Sequence, residues 1–261
     1  MEDKKLYYFK SQRDYTAFLY LLIELAYKHF DRFKKYLNEL ESYVKSEVNK
    51  IDGINIEDIN DDYEKNETLL KCLSRYSVNY YQFKEIEDKI NTTKYLLLNI
   101  FADRSRNAAS YYRFRDEVKK KRYYEEINLP ELNQEMKEII NELYHLRNYE
   151  HHMTDSKFIE WKNYRDNEQS DGGIYFEDWV NPNIDIKFFE EVSMIHLVNL
   201  YLHLNELKIY FGSILQIMKK DFSIIIGSSM QINRTNIKGV VSLSSSIISI
   251  NGYQRHLGKK K

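Results

Sequence analysis

Residues 11–50 read SQRDYTAFLYLLIELAYKHFDRFKKYLNELESYVKSEVNK and set the architecture of the chain. Ser11 and Asp14 have the spacing of a helix capping box, with aspartate in place of the usual glutamate. The pattern predicts one long amphipathic helix that ends at Asp52-Gly53. Its apolar residues recur every three or four positions, as on one face of a helix: Leu19, Leu22, Ile23, Ala26, Phe30, Phe33, Leu37, Leu40, Val44 and Val48.

A second apolar run from Leu69 to Phe101 has the same spacing and predicts another long helix, interrupted by the charged residues Glu87 and Lys94. A seam of this length suits antiparallel packing inside one chain or a dimer interface. We expect core packing, with the dimer interface as the alternative. The run comprises Leu69, Leu73, Tyr76, Tyr80, Phe83, Ile90, Leu97 and Phe101.

Two further long helices are predicted. One begins near Asn128-Leu-Pro130-Glu131 and carries the apolar series that ends at Leu146. The other runs from about Asp185 to Asp221. Between them we expect a shorter helix over 157–165 and a loop over 166–184.

Glycine and proline are scarce, at eight and two residues in a chain of 261. This composition favours long helices over a sandwich or barrel. We therefore predict a mainly all-α fold, with long antiparallel helices in a bundle over residues 1–222. Residues 223–261 are rich in serine and isoleucine, and for them we predict a small β-hairpin or meander, with a disordered or partner-completed tail as the alternative.

Composition also limits the setting of the protein. A net charge of -1 argues against binding nucleic acid by bulk charge, although a local basic stripe remains compatible with it. The single cysteine, Cys72, rules out internal disulfides and fits a reducing cytoplasm. The apolar run from Ala17 to Tyr27 contains Glu24 and is too short to cross a bilayer. We expect a soluble cytoplasmic protein without a membrane partner.

A basic stretch between Asp103 and Tyr124 contains interleaved tyrosines. If it is helical, four of its residues share one face, because they are spaced by seven, four and seven. A cationic face with aromatic rings can follow a phosphate backbone and stack bases, so we predict RNA contact there. The alternative is a solvated helix face with its tyrosines packed against the bundle. The four residues are Arg104, Tyr111, Arg115 and Arg122.

The segment Arg147-Asn148-Tyr149-Glu150-His151-His152 combines a phosphate-competent arginine with groups that move protons near neutral pH. On a continuous helix His151, at i+4, shares a face with Arg147. His152, at i+5, is turned roughly 140° away. Either His151 is the partner of Arg147, or the helix unwinds and His152 swings round.

The same segment resembles the signature of the HEPN superfamily of helical bundles, an arginine followed by a polar residue and then a histidine after four to six intervening residues. Arg147, Asn148 and His152 match it. The resemblance implies a HEPN-like core around residues 60–222 and a metal-independent endoribonuclease that acts as a homodimer, without a cofactor. Arg147 would hold the scissile phosphate, Asn148 would position the site, and His152 would act as general acid or base. It further implies a toxin or phage-defence role, with an antitoxin or nucleotidyltransferase partner.

Two alternatives accompany this hypothesis. Arg147 pairs with Glu150 or another carboxylate while the histidines cap the helix end, or the protein is a non-catalytic helical interaction protein. His196, Asn199 and His203 form a polar line that we interpret as packed or exposed rather than as a metal site, because two histidines seven residues apart cannot chelate one ion unaided. No other acid–base set stands out, since the sequence has no His-Glu-x-x-His, no phosphate-binding glycine loop and no Gly-x-Ser-x-Gly motif.

Overall fold

The computed structural model describes residues 9, 11–54, 59, 66–106, 108–120, 127–151 and 191–228. Within them the protein is mainly helical, which confirms the predicted fold class. The elements in chain order are α1 (Gln12–Val48), α2 (Glu67–Leu73), β1 (Ser77–Asn79), α3 (Tyr80–Ala102), α4 (Tyr111–Lys120), α5 (Gln134–His151), β2 (Glu191–Ser193) and α6 (Met194–Ile226). The predicted helix over 157–165, the loop over 166–184 and most of the C-terminal segment lie outside the described residues.

Helix α1 begins as predicted. The Ser11 side chain accepts a hydrogen bond from the backbone N–H of Asp14, and the Asp14 carboxylate accepts from the backbone N–H of Ser11 at 3.0 Å. This reciprocal arrangement satisfies backbone donors that the first turn of a helix leaves unpaired. The helix then continues without a break to Val48.

The core lies where α1 packs against α3 and α6. The ring of Phe211 is 5.3 Å from that of Phe33 and 5.6 Å from that of Phe101, centroid to centroid, so one aromatic side chain joins all three helices. Gln12 donates to the backbone carbonyl of Ile225 at 2.5 Å, at the far end of α6. Helix α1 is therefore antiparallel to α6.

The predicted helix from Leu69 to Phe101 is wrong in one respect, because it is two helices joined by a strand. Helix α2 ends at Leu73, and β1 pairs with β2 in an antiparallel ladder that aligns Val78 with Val192. Asn79 then caps α3, since its side chain accepts from the backbone N–H of Gln82 at 3.1 Å. Asparagine and serine compete with the helix for backbone hydrogen bonds, which explains why the helix stops here despite its apolar spacing.

Helices α5 and α6 differ from their predicted bounds. Helix α5 begins at Gln134 rather than near Asn128, because Asn133 caps it by accepting from the backbone N–H of Met136 at 2.9 Å. Helix α6 continues through Ile226, so 223–226 are helical and not β as predicted. Gly227 ends it with φ 71°, a left-handed conformation that glycine adopts without a Cβ clash.

The chain divides into two units, 1–228 and 229–261, and the described residues all belong to the first. Among them, no helix has the length and apolar content needed to cross a membrane.

Candidate functional site on helices α3 and α5

Arg147 lies near the end of α5, where its guanidinium is held by three side chains. Nε donates to Asn99 at 3.1 Å, Nη1 donates to Asn148 at 3.1 Å, and Nη2 forms an ion pair with Asp103 at 2.9 Å. The side chains of Arg147 and Asp103 are 13% and 15% exposed. The arginine is therefore fixed in place at the edge of the α3–α5 interface, and its partner is a carboxylate.

Tyr95 and Asn99 of α3 and Asp103, the residue that caps its C-terminus, are spaced four residues apart and form one polar stripe along that helix. The Tyr95 hydroxyl lies 2.8 Å from Nδ1 of His151, and the two rings are nearly parallel, with centroids 6.1 Å apart. Asn99 and Asp103 then contact Arg147, which precedes His151. The earlier residue of α3, Tyr95, contacts the later residue of α5, His151, and Asn99 contacts the earlier Arg147, so the two helices are antiparallel.

His151 is the last residue of α5 and shares a face with Arg147, as the i+4 spacing predicts. The helix does not unwind before this point. His152, the histidine that the family signature favours, lies outside the described residues, as does Arg122.

Glu150 is not the partner of Arg147. Its carboxylate lies 2.6 Å from Nζ of Lys94, and the two side chains are 14% and 9% exposed. The lysine that interrupts the apolar pattern of α3 therefore enters the interface to meet a carboxylate of α5. Burial, together with the nearby Lys94 ammonium, lowers the pKa of His203 on α6.

The ion pair limits what Arg147 can do chemically. A guanidinium has five N–H groups, and the three hydrogen bonds described use one on each nitrogen. Each terminal nitrogen retains a second N–H that could donate to a phosphate oxygen. Asp103 neutralises the arginine in the free protein, so an incoming phosphate would compete with this carboxylate.

The predicted RNA-binding face does not form as one helix face. Helix α4 begins at Tyr111, so Arg104 lies in the connection that precedes it. Tyr111 is fully buried and donates to Asp221 of α6 at 2.6 Å. Arg115 forms a 2.6 Å ion pair with the same aspartate and donates to the carbonyl of Pro130 at 2.6 Å. Tyr111 and Arg115 therefore join α4 to α6, which corrects their predicted placement on a surface face.

Asp221 is 1% exposed and lies at the centre of that cluster. Burial raises its pKa, while Arg115 and the Tyr111 hydroxyl act in the opposite direction. Burial likewise raises the pKa of Tyr111 well above its ordinary value. These groups form a closed structural cluster rather than a reactive surface.

Arg104 instead lies against two tyrosines. Its guanidinium carbon is 4.0 Å from the ring centroid of Tyr144 on α5 and 4.7 Å from that of Tyr112 on α4. Nη2 donates to Asn141 at 2.9 Å. The sequence analysis counted Tyr112 among the interleaved tyrosines but did not pair it with Arg104, and it missed Tyr144. It also missed the Tyr95-Asn99-Asp103 stripe, although the regular spacing of these polar residues by four is visible in the sequence.

The two histidines of the polar line on α6, His196 and His203, have separate contacts and do not face one shared site. The ring of His196 packs edge-on against Phe83, with centroids 5.8 Å apart. His203 lies 3.9 Å from Glu206. Among the described residues, no group of three or more His, Cys, Asp or Glu side chains has a geometry that could hold a metal ion.

Comparison with protein-family models, with curated proteins and with solved structures gave no match for this chain.

Proposed function

We propose that the chain is a HEPN-like, metal-independent endoribonuclease that acts as a homodimer, with Arg147 binding the scissile phosphate. The observation that carries the proposal is the shared edge of α5, where Arg147, Asn148 and His151 lie together against the polar stripe of α3. A fixed arginine with two further N–H donors and an imidazole one turn away supplies the minimum that RNA cleavage requires.

The proposed reaction uses the nucleophile of the RNA itself. A neutral imidazole of His152 or His151 takes the proton of the 2′-OH, and the 2′ oxygen forms a bond to phosphorus. The bond from phosphorus to the 5′ oxygen breaks, and a protonated imidazole of the second copy gives its proton to that oxygen. The products are a 2′,3′-cyclic phosphate and a 5′-hydroxyl.

Arg147 would stabilise the negative charge that grows on the phosphoryl oxygens during this step. Asp103 holds the guanidinium in one orientation before the substrate arrives, with its second carboxylate oxygen accepting from the backbone N–H of Ser105 at 2.9 Å. A pre-oriented arginine loses less side-chain entropy when the phosphate binds. In cells this activity would suit a toxin or phage-defence effector with an antitoxin or nucleotidyltransferase partner.

A second candidate is a non-catalytic helical interaction protein. The observation that favours it is the Arg147–Asp103 ion pair itself, because an arginine paired with a carboxylate already has a structural role. In that case the pair only fastens α5 to α3, and its loss changes stability without changing any reaction.

Cleavage of a labelled RNA in EDTA separates the two candidates. We expect cleavage by the wild type, loss of cleavage in Arg147→Ala, and loss in His152→Ala or His151→Ala, whichever supplies the acting imidazole. The matched control is Lys35→Ala, since Lys35 is 71% exposed on α1.

Arg147→Lys covers the case in which the alanine variant does not fold. It keeps the positive charge and an ion pair with Asp103 but lacks the planar fork of donors. We expect folded protein, by circular dichroism, with strongly reduced cleavage. Equal cleavage by the wild type and all variants, or none by the dimeric wild type on any RNA tested, would exclude the nuclease.

A further inference from the structure

A groove runs between α4, the 127–132 segment and the first half of α5. One part encloses about 510 Å³ and a second about 380 Å³, and the two share Tyr112, Leu132, Lys137 and Ile140. Arg104 and Asn141 line the second part. The groove is therefore one elongated depression lined by aromatic and aliphatic side chains and by charged residues of both signs. Its cations are Arg104, Arg115, Lys119 and Lys137, and its carboxylates are Asp116, Glu131 and Glu138. Asp116 and Glu131 are already paired with basic side chains.

Arg104 differs from the other cations of this groove in its partners. Arg115 is paired with Asp221, and Lys119 lies 3.9 Å from Glu131. Arg104 forms no ion pair with a carboxylate among the described residues, and its Nε has no acceptor there. Its contacts with the described residues are two tyrosine rings and one amide oxygen, so no carboxylate in that part of the chain neutralises its positive charge.

This combination suits a phosphate next to a base. A guanidinium that aromatic rings hold in one plane presents its terminal N–H groups in a fixed direction, which favours a phosphate oxygen. Tyr112, Leu132 and the largely buried Ile140 line the groove with apolar atoms, and the Tyr112 ring could stack on a base. Lys137 is 50% exposed at the side of the groove, and its ion pair with Glu131 is long at 3.4 Å.

The groove also leads towards Arg147. Tyr144 is one helical turn before Arg147 on α5, and Asp103, which binds Arg147, is the neighbour of Arg104 in the chain. A strand whose scissile phosphate lies at Arg147 could therefore place a neighbouring nucleotide in the groove.

We propose that this groove binds single-stranded RNA, with a phosphate on Arg104 and the adjacent base against Tyr112. The assignment rests on the proposed nuclease function for its substrate class, but it concerns binding and not cleavage. Arg104 is a substrate-positioning residue in this arrangement, and single-stranded RNA is favoured because a paired base could not lie flat in the groove.

The test is fluorescence anisotropy with a labelled single-stranded RNA in which every 2′-OH is methylated, so that it cannot be cleaved. Arg104→Gln should weaken binding at least tenfold, as expected for a lost hydrogen bond to a charged group. Tyr112→Leu should weaken it at least about fivefold through lost stacking. Lys35→Gln, on α1, is the matched control and should bind like the wild type.

Two further measurements make the result specific. For Arg104→Gln the slope of log affinity against log salt should fall by about 0.7, the value for one lost phosphate contact on a single strand. Arg104→Lys keeps the charge without the planar fork, covers any folding defect of the glutamine variant, and should bind with intermediate affinity. Duplex RNA of the same sequence should bind more weakly than the single strand.

The proposal is overturned if the wild type does not bind the single strand, if it binds duplex RNA equally well, or if the Arg104 and Tyr112 variants match Lys35→Gln. Its failure is distinct from failure of the nuclease. Loss of binding in Arg104→Gln, with no cleavage by the wild type, supports the groove and removes the nuclease. Normal cleavage and normal binding by Arg104→Gln would support the nuclease and exclude the groove as the RNA-binding site.

Discussion

Asp221 offers the sharpest test of how the bundle is held together. Its carboxylate accepts from the Tyr111 hydroxyl and pairs with Arg115, each at 2.6 Å, and its side chain is 1% exposed. Asp221→Ala removes both carboxylate oxygens, of which one accepts from Tyr111 and the other from Arg115. The substitution leaves the buried Tyr111 hydroxyl without its acceptor and the largely buried Arg115 guanidinium without its ion pair. Arg115 Nε still donates to the Tyr111 hydroxyl at 3.0 Å.

The expected loss follows from those two groups. Removing one partner of a buried ion pair costs about 3–5 kcal/mol, and orphaning a buried hydroxyl costs about 1–3 kcal/mol. Arg115 keeps its hydrogen bonds to the Pro130 carbonyl and the Tyr111 hydroxyl and is 15% exposed, so the loss of its ion pair should cost an amount at the low end of the first range. We expect Asp221→Ala to lower the free energy of unfolding by about 4 kcal/mol.

Urea denaturation followed by far-ultraviolet circular dichroism measures this loss. Tyr111→Phe should cost about 1–2 kcal/mol, and the double variant should cost less than the sum, because both changes remove the same hydrogen bond. The control is Asp31→Ala, whose pair with Lys34 at 2.8 Å is 43% and 39% exposed and contributes about 1 kcal/mol or less. A loss for Asp221→Ala no greater than that of Asp31→Ala would refute the reasoning.

Three other predictions concern stability. Lys94→Met should lower the free energy of unfolding by about 2–3 kcal/mol in urea denaturation, because it leaves the largely buried Glu150 carboxylate without its cation. Adding Glu150→Leu should recover most of this loss. Phe211→Ala should cost about 3–5 kcal/mol by the same measurement, since it opens a cavity between three helices, whereas Phe211→Leu should cost less than half as much. Burial and the nearby Arg32 and Lys28 lower the pKa of His29, so below pH 6.5 the unfolded chain takes up a proton that the folded chain does not. Stability should therefore fall as the pH is lowered from 6.5 towards the folded pKa. In urea titrations at successive pH values His29→Gln should reduce this fall, and the part due to His203, whose pKa is also lowered, should remain.

Helix α1 could be predicted closely because its signals are local. The capping residues Ser11 and Asp14 and the regular apolar spacing are all contained in the helix that they define. The break between α2 and α3 could not be predicted from local signals, because the strand that pairs with Val78 lies more than a hundred residues away in the sequence. Periodicity alone therefore merged two helices.

The candidate site was predicted in part for the same reason. Arg147, Asn148 and His151 are close in sequence, and helix geometry alone places Arg147 and His151 on one side of α5. Their partners on α3 come from a helix some fifty residues earlier, and no short-range pattern links the two. The polar identity of Asn99 and Asp103 was visible, but their meeting with Arg147 depends on the antiparallel packing of α3 and α5.

The ladder between β1 and β2 has a consequence for the order in which the molecule folds. Ser77 bonds to the Glu191 carboxylate across 114 residues, so this pairing closes a very long loop. Contacts of such high sequence separation slow folding, because the chain entropy is lost before they stabilise the fold. The antiparallel pair of α3 and α5 closes a far shorter stretch of chain and can form first. We therefore expect substitutions at Val78 to speed unfolding while leaving the folding rate nearly unchanged, and substitutions at the α3–α5 interface to slow folding.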